Sequence, residues 1–374
     1  MRRFVSAGVA AALAVVATFA ARGVGAKTSR PFQWSVRLPA SVRPHFGAPA
    51  LAASSDTVAT GYDKIRMFRA RDGWLRGSCD PLSGEGDWGV WSVANGDFLA
   101  YFVPVFRPSV KHASPLFLLS AACTYVNEAE LSGLGGRNPL VWQPLVSPSG
   151  KTLLLEGWGK KGYQYELRDA GTLGLRRQWS EAESGSPVIC AVSDKGYLGL
   201  KRILAPGGRT SPGFQNTVWY RTFDGHWKRL PAMADTCSFL SDARFVCVGA
   251  VNPAPRRVAA SVVAVGDVAG GAPTLRTVKA FWYHVGAFSG ILTADEGKYF
   301  AVVFDFIGAG PLWGNLDMGP ECWRAYIWSA AKLKPVVKFG HWGTPIWPML
   351  ALSPDGRWFA SVDERKLTVR RLQP

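Results

Sequence analysis

The chain has 374 residues, 48% of them hydrophobic and 19% charged, which excludes a disordered protein and leaves ample material for a buried core. Its formal net charge is +16, but the positive residues scatter as pairs such as Arg176-Arg177, Arg256-Arg257 and Arg370-Arg371; this predicts a solvated basic surface and excludes a nucleic-acid track along one element. The 41 Gly and 25 Pro are spread along the whole length, as many short strands joined by tight turns require, and 16 Trp can fill wide sheet-on-sheet cores.

In chain order, Met1-Arg2-Arg3 precedes an apolar run from Phe4 to Ala21, and the small residues Val24-Gly25-Ala26 follow. A basic start, an apolar middle and a small-x-small end predict an export signal over 1–26, with 27–374 as a single domain. The alternative is an uncleaved anchor, the only membrane contact expected. Export places the protein in the periplasm or outside the cell, where the anionic surfaces it meets are envelope components or polysaccharides, and nucleic acid is not an expected partner.

Next comes a strand, Phe32 to Leu38, and then a recurring unit: an apolar strand, a polar turn, a second apolar strand. Its turns are Ser54-Ser55-Asp56-Thr57, Val93-Ala94-Asn95-Gly96-Asp97, Ser147-Pro148-Ser149-Gly150-Lys151, Ser193-Asp194-Lys195-Gly196-Tyr197, Ser241-Asp242-Ala243-Arg244, Ala294-Asp295-Glu296-Gly297-Lys298 and Ser353-Pro354-Asp355-Gly356. In this chemistry Asp or Asn caps the turn and Gly takes the left-handed position. Third strands with period-two alternation follow, as at Tyr163-Gln164-Tyr165-Glu166-Leu167, Ala325-Tyr326-Ile327-Trp328 and Leu367-Thr368-Val369-Arg370. Four antiparallel strands repeated seven times predict an all-β fold, a seven-bladed β-propeller. The last unit has only three strands, so the N-terminal strand is expected to complete it and close the ring. Of six cysteines, Cys237 and Cys247 flank one short turn; they fit a cross-strand disulfide or two small apolar core residues, and the pairing of the other four is not legible.

The residues Gly340-His341, Ser353-Pro354-Asp355-Gly356, Ala360-Ser361 and Asp363 resemble a WD repeat and the related bacterial propeller repeats of the TolB and YVTN type. Ala59 to Phe68 is similar, with Phe68 where the family has Trp; Trp328 supplies that Trp, and Arg370 replaces it in the last unit. The resemblance implies that loops from strand four to the next blade share a face with loops between strands two and three. Three copies of one short motif would gather there: His45-Phe46-Gly47-Ala48-Pro49, His284-Val285-Gly286-Ala287-Phe288 and His341-Trp342-Gly343-Thr344-Pro345. The family implies that each His braces its own blade; a ligand contact and a three-histidine metal site are the alternatives, and no metal or cofactor is assigned.

The same face would carry the loops Phe304–Glu321, with Asp305, Trp313, Asp317 and Glu321, Pro104–Pro115, with Arg107, Lys111 and His112, and Leu204–Asn216, with Arg209. An aromatic beside carboxylates suits a sugar or a cationic peptide; a flap over the mouth of the ring is an equal reading. There is no G-x-S-x-G, P-loop or H-E-x-x-H, and Gly133-Leu134-Gly135-Gly136 lacks the Lys-Ser of a phosphate loop, so no catalytic residue is assigned. The candidate binding residues are His45, His284, His341, Trp342, Trp313, Asp317, Glu321 and Arg209. The expectation is an exported, non-catalytic platform for a protein or peptide partner, or a glycan. The alternative is a propeller enzyme of the lactonase, hydrolase or dehydrogenase kind with its site at the central mouth.

Overall fold

Runs such as Phe98-Leu99-Ala100-Tyr101 and Leu153-Leu154-Leu155 have no polar alternation, and all seven of these residues are buried. Such a strand must be covered on both faces. In the computed structural model each sheet is indeed sandwiched between two others. The residues described are 33–39, 51–82, 87–103, 115–131, 143–159, 162–181, 186–202, 216–251, 260–279, 285–294, 297–307, 321–342, 349–363 and 365–372.

Their strands run as follows: β1 (Gln33–Arg37); blade 1, β2 (Leu51–Ala53), β3 (Thr57–Gly61), β4 (Ile65–Arg69) and β5 (Leu75–Cys79); blade 2, β6 (Asp87–Ser92), β7 (Phe98–Val103), β8 (Leu116–Leu119) and β9 (Tyr125–Ala129). Blade 3 holds β10 (Gln143–Val146), β11 (Thr152–Gly159), β12 (Gly162–Asp169) and β13 (Leu175–Glu181), and blade 4 holds β14 (Val188–Val192), β15 (Gly196–Arg202), β16 (Asn216–Thr222) and β17 (Lys228–Ala234). Blade 5 is β18 (Thr236–Phe239), β19 (Arg244–Val251), β20 (Ala260–Asp267) and β21 (Thr274–Lys279); blade 6 is β22 (Val285–Thr293), β23 (Tyr299–Ile307), β24 (Glu321–Ser329) and β25 (Lys334–Trp342). Blade 7 takes β26 (Met349–Leu352), β27 (Trp358–Asp363) and β28 (Lys366–Arg371), and its fourth strand is β1.

These are seven antiparallel four-stranded sheets in a ring, a seven-bladed β-propeller, as the repeats predict. Closure also follows expectation. β1 pairs with β28, Trp34 opposite Val369 and Arg37 opposite Lys366. The joint extends into blade 1: Trp34 Nε1 donates to the Ala70 carbonyl at 2.6 Å, and Trp358 Nε1 to that of Ser55 at 2.8 Å.

Seven hydrophobic clusters among the described residues fall one to each seam between neighbouring blades. Alternate side chains of one strand serve two seams. Leu153 and Leu155 pack toward blade 2, whereas Leu154 packs toward blade 4. Each such leucine contributes roughly 1.5–3 kcal/mol of burial.

The hairpin turns are built as expected, with one correction. In the last turn Ser353 Oγ accepts from Trp358 N at 2.8 Å, Asp355 Oδ1 accepts from Arg357 N at 3.0 Å, and Gly356 has φ +67. Gly96, Gly150 and Gly297 are likewise left-handed. Gly196 is not. It is already strand, and a Cβ there would sit 2.3 Å from the Arg221 carbonyl oxygen, so close backbone approach explains that glycine. Asp194 of the same turn reaches across to blade 3, accepting from Ser147 Oγ, Ser149 Oγ and Thr152 Oγ1 at 2.8, 2.7 and 2.8 Å. Its own amide donates to Asp242 of blade 5 at 2.9 Å, so the turns of three blades are linked in series.

Covalent and ionic ties reinforce the blades and one of their seams. Cys237 and Cys247 face each other on β18 and β19 and are disulfide-bonded. A second disulfide, Cys79–Cys123, joins β5 of blade 1 to the β8–β9 turn of blade 2. In the seam between blades 2 and 3, Arg168 Nε donates to Glu166 Oε2 at 2.7 Å and Arg168 Nη1 to the Leu173 carbonyl at 2.8 Å. The Arg168 and Glu166 side chains are only 7% and 1% exposed.

Candidate functional site

Antiparallel connectivity sends every first-to-second and third-to-fourth connection to one face of the ring, and the remaining connections to the other. The first set spans three to six residues each, ending in turns such as those above. The second set holds five connections of 12 or 13 residues: 38–50, 104–115, 130–142, 203–215 and 308–320. Long excursions from a rigid scaffold are where binding groups concentrate.

Of the sequence candidates, His45, His284, Arg209, Trp313 and Asp317 lie outside the described residues, as do Arg107, Lys111, His112 and Gly133 to Gly136. Glu321, His341 and Trp342 are placed by their backbone. Trp342 is opposite Cys322 and His341 opposite Trp323, while Glu321 pairs with Ile307. All three therefore stand at the end of blade 6 from which connections 308–320 and 343–348 leave. They are strand residues, as are Phe304 and Asp305, and this corrects the expected loop boundaries. Near-continuous apolar runs, from Phe300 to Ile307 broken only at Asp305 and from Cys322 to Trp328 broken only at Arg324, let the hairpin keep pairing further than its turn chemistry suggests. Among the described residues, no three His, Cys, Asp or Glu side chains converge as metal ligands would.

A different constellation lies in the seam between blades 3 and 4. Tyr163, Tyr165 and Trp179 on blade 3 continue to Tyr197 on blade 4 as a ladder of rings, with successive centroids 6.3, 5.3 and 5.9 Å apart. Chain cations already cover its faces: Arg177 lies 5.6 Å over Trp179, and Arg221 lies 5.8 Å over Tyr197. Two carboxylates share this seam. Glu181 Oε1 accepts from Arg221 Nη1 at 2.9 Å, while its Oε2 and the Trp179 Nε1 are buried without partners. Glu156 stands opposite Tyr165 on the face of blade 3 that carries the ladder. Burial, and then the Glu181 charge, push its pKa up to about 7. Arg221 thus neutralises Glu181 alone, and Glu156 is the acid left protonated at mildly acidic pH. Nearby, Cys190 donates to the Leu198 carbonyl at 3.6 Å, and burial raises its thiol to about 12, so it is a poor nucleophile.

The seam can hold and release a proton near neutrality, and this makes a prediction. Glu156 binds its proton more tightly folded than unfolded, so its contribution to stability is complete below about 4.5 and is lost as pH rises through about 7. Chemical denaturation of Glu156→Gln should show a smaller stability loss between pH 5 and pH 8 than the parent, by on the order of 3 kcal/mol. Equal pH slopes for the two proteins would refute the assignment. The signal was present in the sequence as a single acid ending the run Leu153-Leu154-Leu155-Glu156, a charge where only apolar residues belong.

The connectivity defines the class, a β-propeller, and comparison with known proteins narrows it no further. No family model matches the chain, and no curated protein does. Among solved structures it is similar to BamB from Moraxella catarrhalis, at 12% identity over 91% of this chain and 97% of that one, with a TM-score of 0.39. A member of the duf4221 family from Bacteroides vulgatus matches at 9% identity over 91% and 96%, with a TM-score of 0.38. No residue role is taken from either.

Proposed function

We propose that the protein is an exported, non-catalytic platform that binds a protein or peptide through the face bearing its long connections. The observation that carries this reading is the asymmetry of the two faces. Every connection on one side is a turn of at most six residues, and all five of 12 or 13 residues are on the other. The candidates His45, Arg209, Trp313 and Asp317 belong to those five in sequence, and Glu321, His341 and Trp342 stand at strand ends beside them. Two disulfides support export, because they persist in oxidising compartments. A catalytic reading draws support only from the near-neutral titration of Glu156, whose seam is already packed with aromatic rings.

A photo-crosslinking amino acid placed at Trp313 or Glu321 should trap a discrete partner in the native envelope. The same group at Lys151 or Lys195, on the face of short turns, should not. Equal adducts from both faces, or none from the first, would overturn the proposal.

A further inference from the structure

The rim of the ring, formed by the outermost strand of each blade, divides into two halves with different electrostatics. On blades 1 and 3 the rim arginines are neutralised. Arg76 pairs with Asp56 at 2.7 Å, Arg176 with Asp169 at 2.5 Å and Arg177 with Asp224 at 3.3 Å. On blade 2, β9 carries an acid, Glu128. Blades 4 to 7 differ: β17, β21, β25 and β1 contain no Asp or Glu at all. They present Lys228, Arg229, Arg276, Lys334, Lys338 and Arg37, all exposed. No carboxylate among the described residues pairs with any of them. Lys228 donates only to the Ala269 carbonyl, and Lys338 lies 5.9 Å over Tyr326.

Positive charge on edge strands guards against edge-to-edge pairing, and that alone would explain cations on every blade. It does not explain why half the rim is neutralised within the chain and the other half has no carboxylate partner among the described residues. Beside those cations, on three of the four strands, stand exposed apolar side chains: Met233 on β17, Leu275 on β21 and Val336 on β25, at 45%, 62% and 52% exposure. Cation and apolar surface side by side match a sugar chain that carries carboxylates and also presents the apolar faces of its rings. The shape of the rim selects among anions. With seven blades, the four outer strands span about 150° of a convex arc. A planar membrane can meet only one or two of those blades at once, whereas a linear polymer can follow them all.

We propose that the rim of blades 4 to 7 binds a linear anionic polysaccharide, on a surface separate from the face with the long connections. Polygalacturonate serves as the probe, with neutral dextran and phosphatidylglycerol vesicles as the other arms. The purified protein should bind polygalacturonate with an affinity that falls at least about tenfold between 50 and 300 mM salt, and should not bind dextran. Arg229→Gln, Arg276→Gln, Lys334→Gln and Lys338→Gln combined should lower affinity by about tenfold or more. An equal charge change in exposed turns, Lys64→Gln, Lys151→Gln, Lys195→Gln and Arg357→Gln combined, should leave it within about threefold. All eight side chains are exposed, so both variants retain the fold. The proposal is overturned by no binding of the parent protein, by equal losses in the two variants, or by vesicles bound as tightly with the same rim dependence.

Discussion

Replacing Arg168 by Met is expected to cost about 3–5 kcal/mol of unfolding free energy, read from the urea midpoint at constant slope. The change strands Glu166, which is 1% exposed and keeps one oxygen without any partner even in the parent protein. It also removes the donor that holds the Leu173 carbonyl in a turn where Leu173 itself has φ +58. Burial already raises the pKa of Glu166, and the arginine pulls it back. Once the arginine is gone the acid can escape by taking up a proton, so the loss should be smaller at pH 5 than at pH 8. Replacing both partners, Glu166→Leu with Arg168→Met, should recover most of the loss, because two apolar groups in that seam need no counter-charge. A single variant costing under about 1 kcal/mol would show that the pair is solvated in solution.

The second large effect concerns the disulfide between blades 1 and 2. Cys79 and Cys123 are 44 residues apart in sequence, against 10 for Cys237 and Cys247. Chain-entropy arguments give about 4 kcal/mol for the longer loop and about 3 for the shorter, so Cys79→Ala with Cys123→Ala should be the more damaging pair. Local geometry adds a further test. Cys123 has φ +63, a conformation that costs an L-residue about 1 kcal/mol and glycine almost nothing. Cys79→Ala with Cys123→Gly should therefore be about 0.5–1 kcal/mol more stable than the double alanine variant. The reverse order in thermal unfolding would contradict the backbone assignment.

Much of the architecture was legible because its information is local. The step from Ser353 through Gly356 encodes a hairpin within a few residues, and its recurrence counts the blades. The missing fourth strand of the last blade could be inferred because Phe32 to Leu38 had no other place. Pairings between blades were not legible. Nothing near Cys79 or Cys123 indicates that β5 of one blade approaches a turn of the next so closely that a Cβ on Gly77 would lie 2.2 Å from the Ala122 carbonyl oxygen. The reach of Asp194 to three hydroxyls of blade 3 was hidden for the same reason, since a turn aspartate is expected to bond its own backbone. The binding candidates divide similarly. Glu321, His341 and Trp342 were assigned to loops but lie in strands, because strand length depends on how far a partner continues. The Glu156–Glu181 pair was missed because its two acids lie on β11 and β13 of one blade, brought to one face by the register of β12 between them, while Arg221 reaches Glu181 from the next blade.

The pairing of Trp34 with Val369 has a consequence for biosynthesis. These residues are more than 300 positions apart, so β1 is translated long before its neighbour β28 and waits without it. Individual hairpins can form as they emerge, but the circle stays open at one joint until β28 has emerged. Contacts of such long sequence separation form slowly.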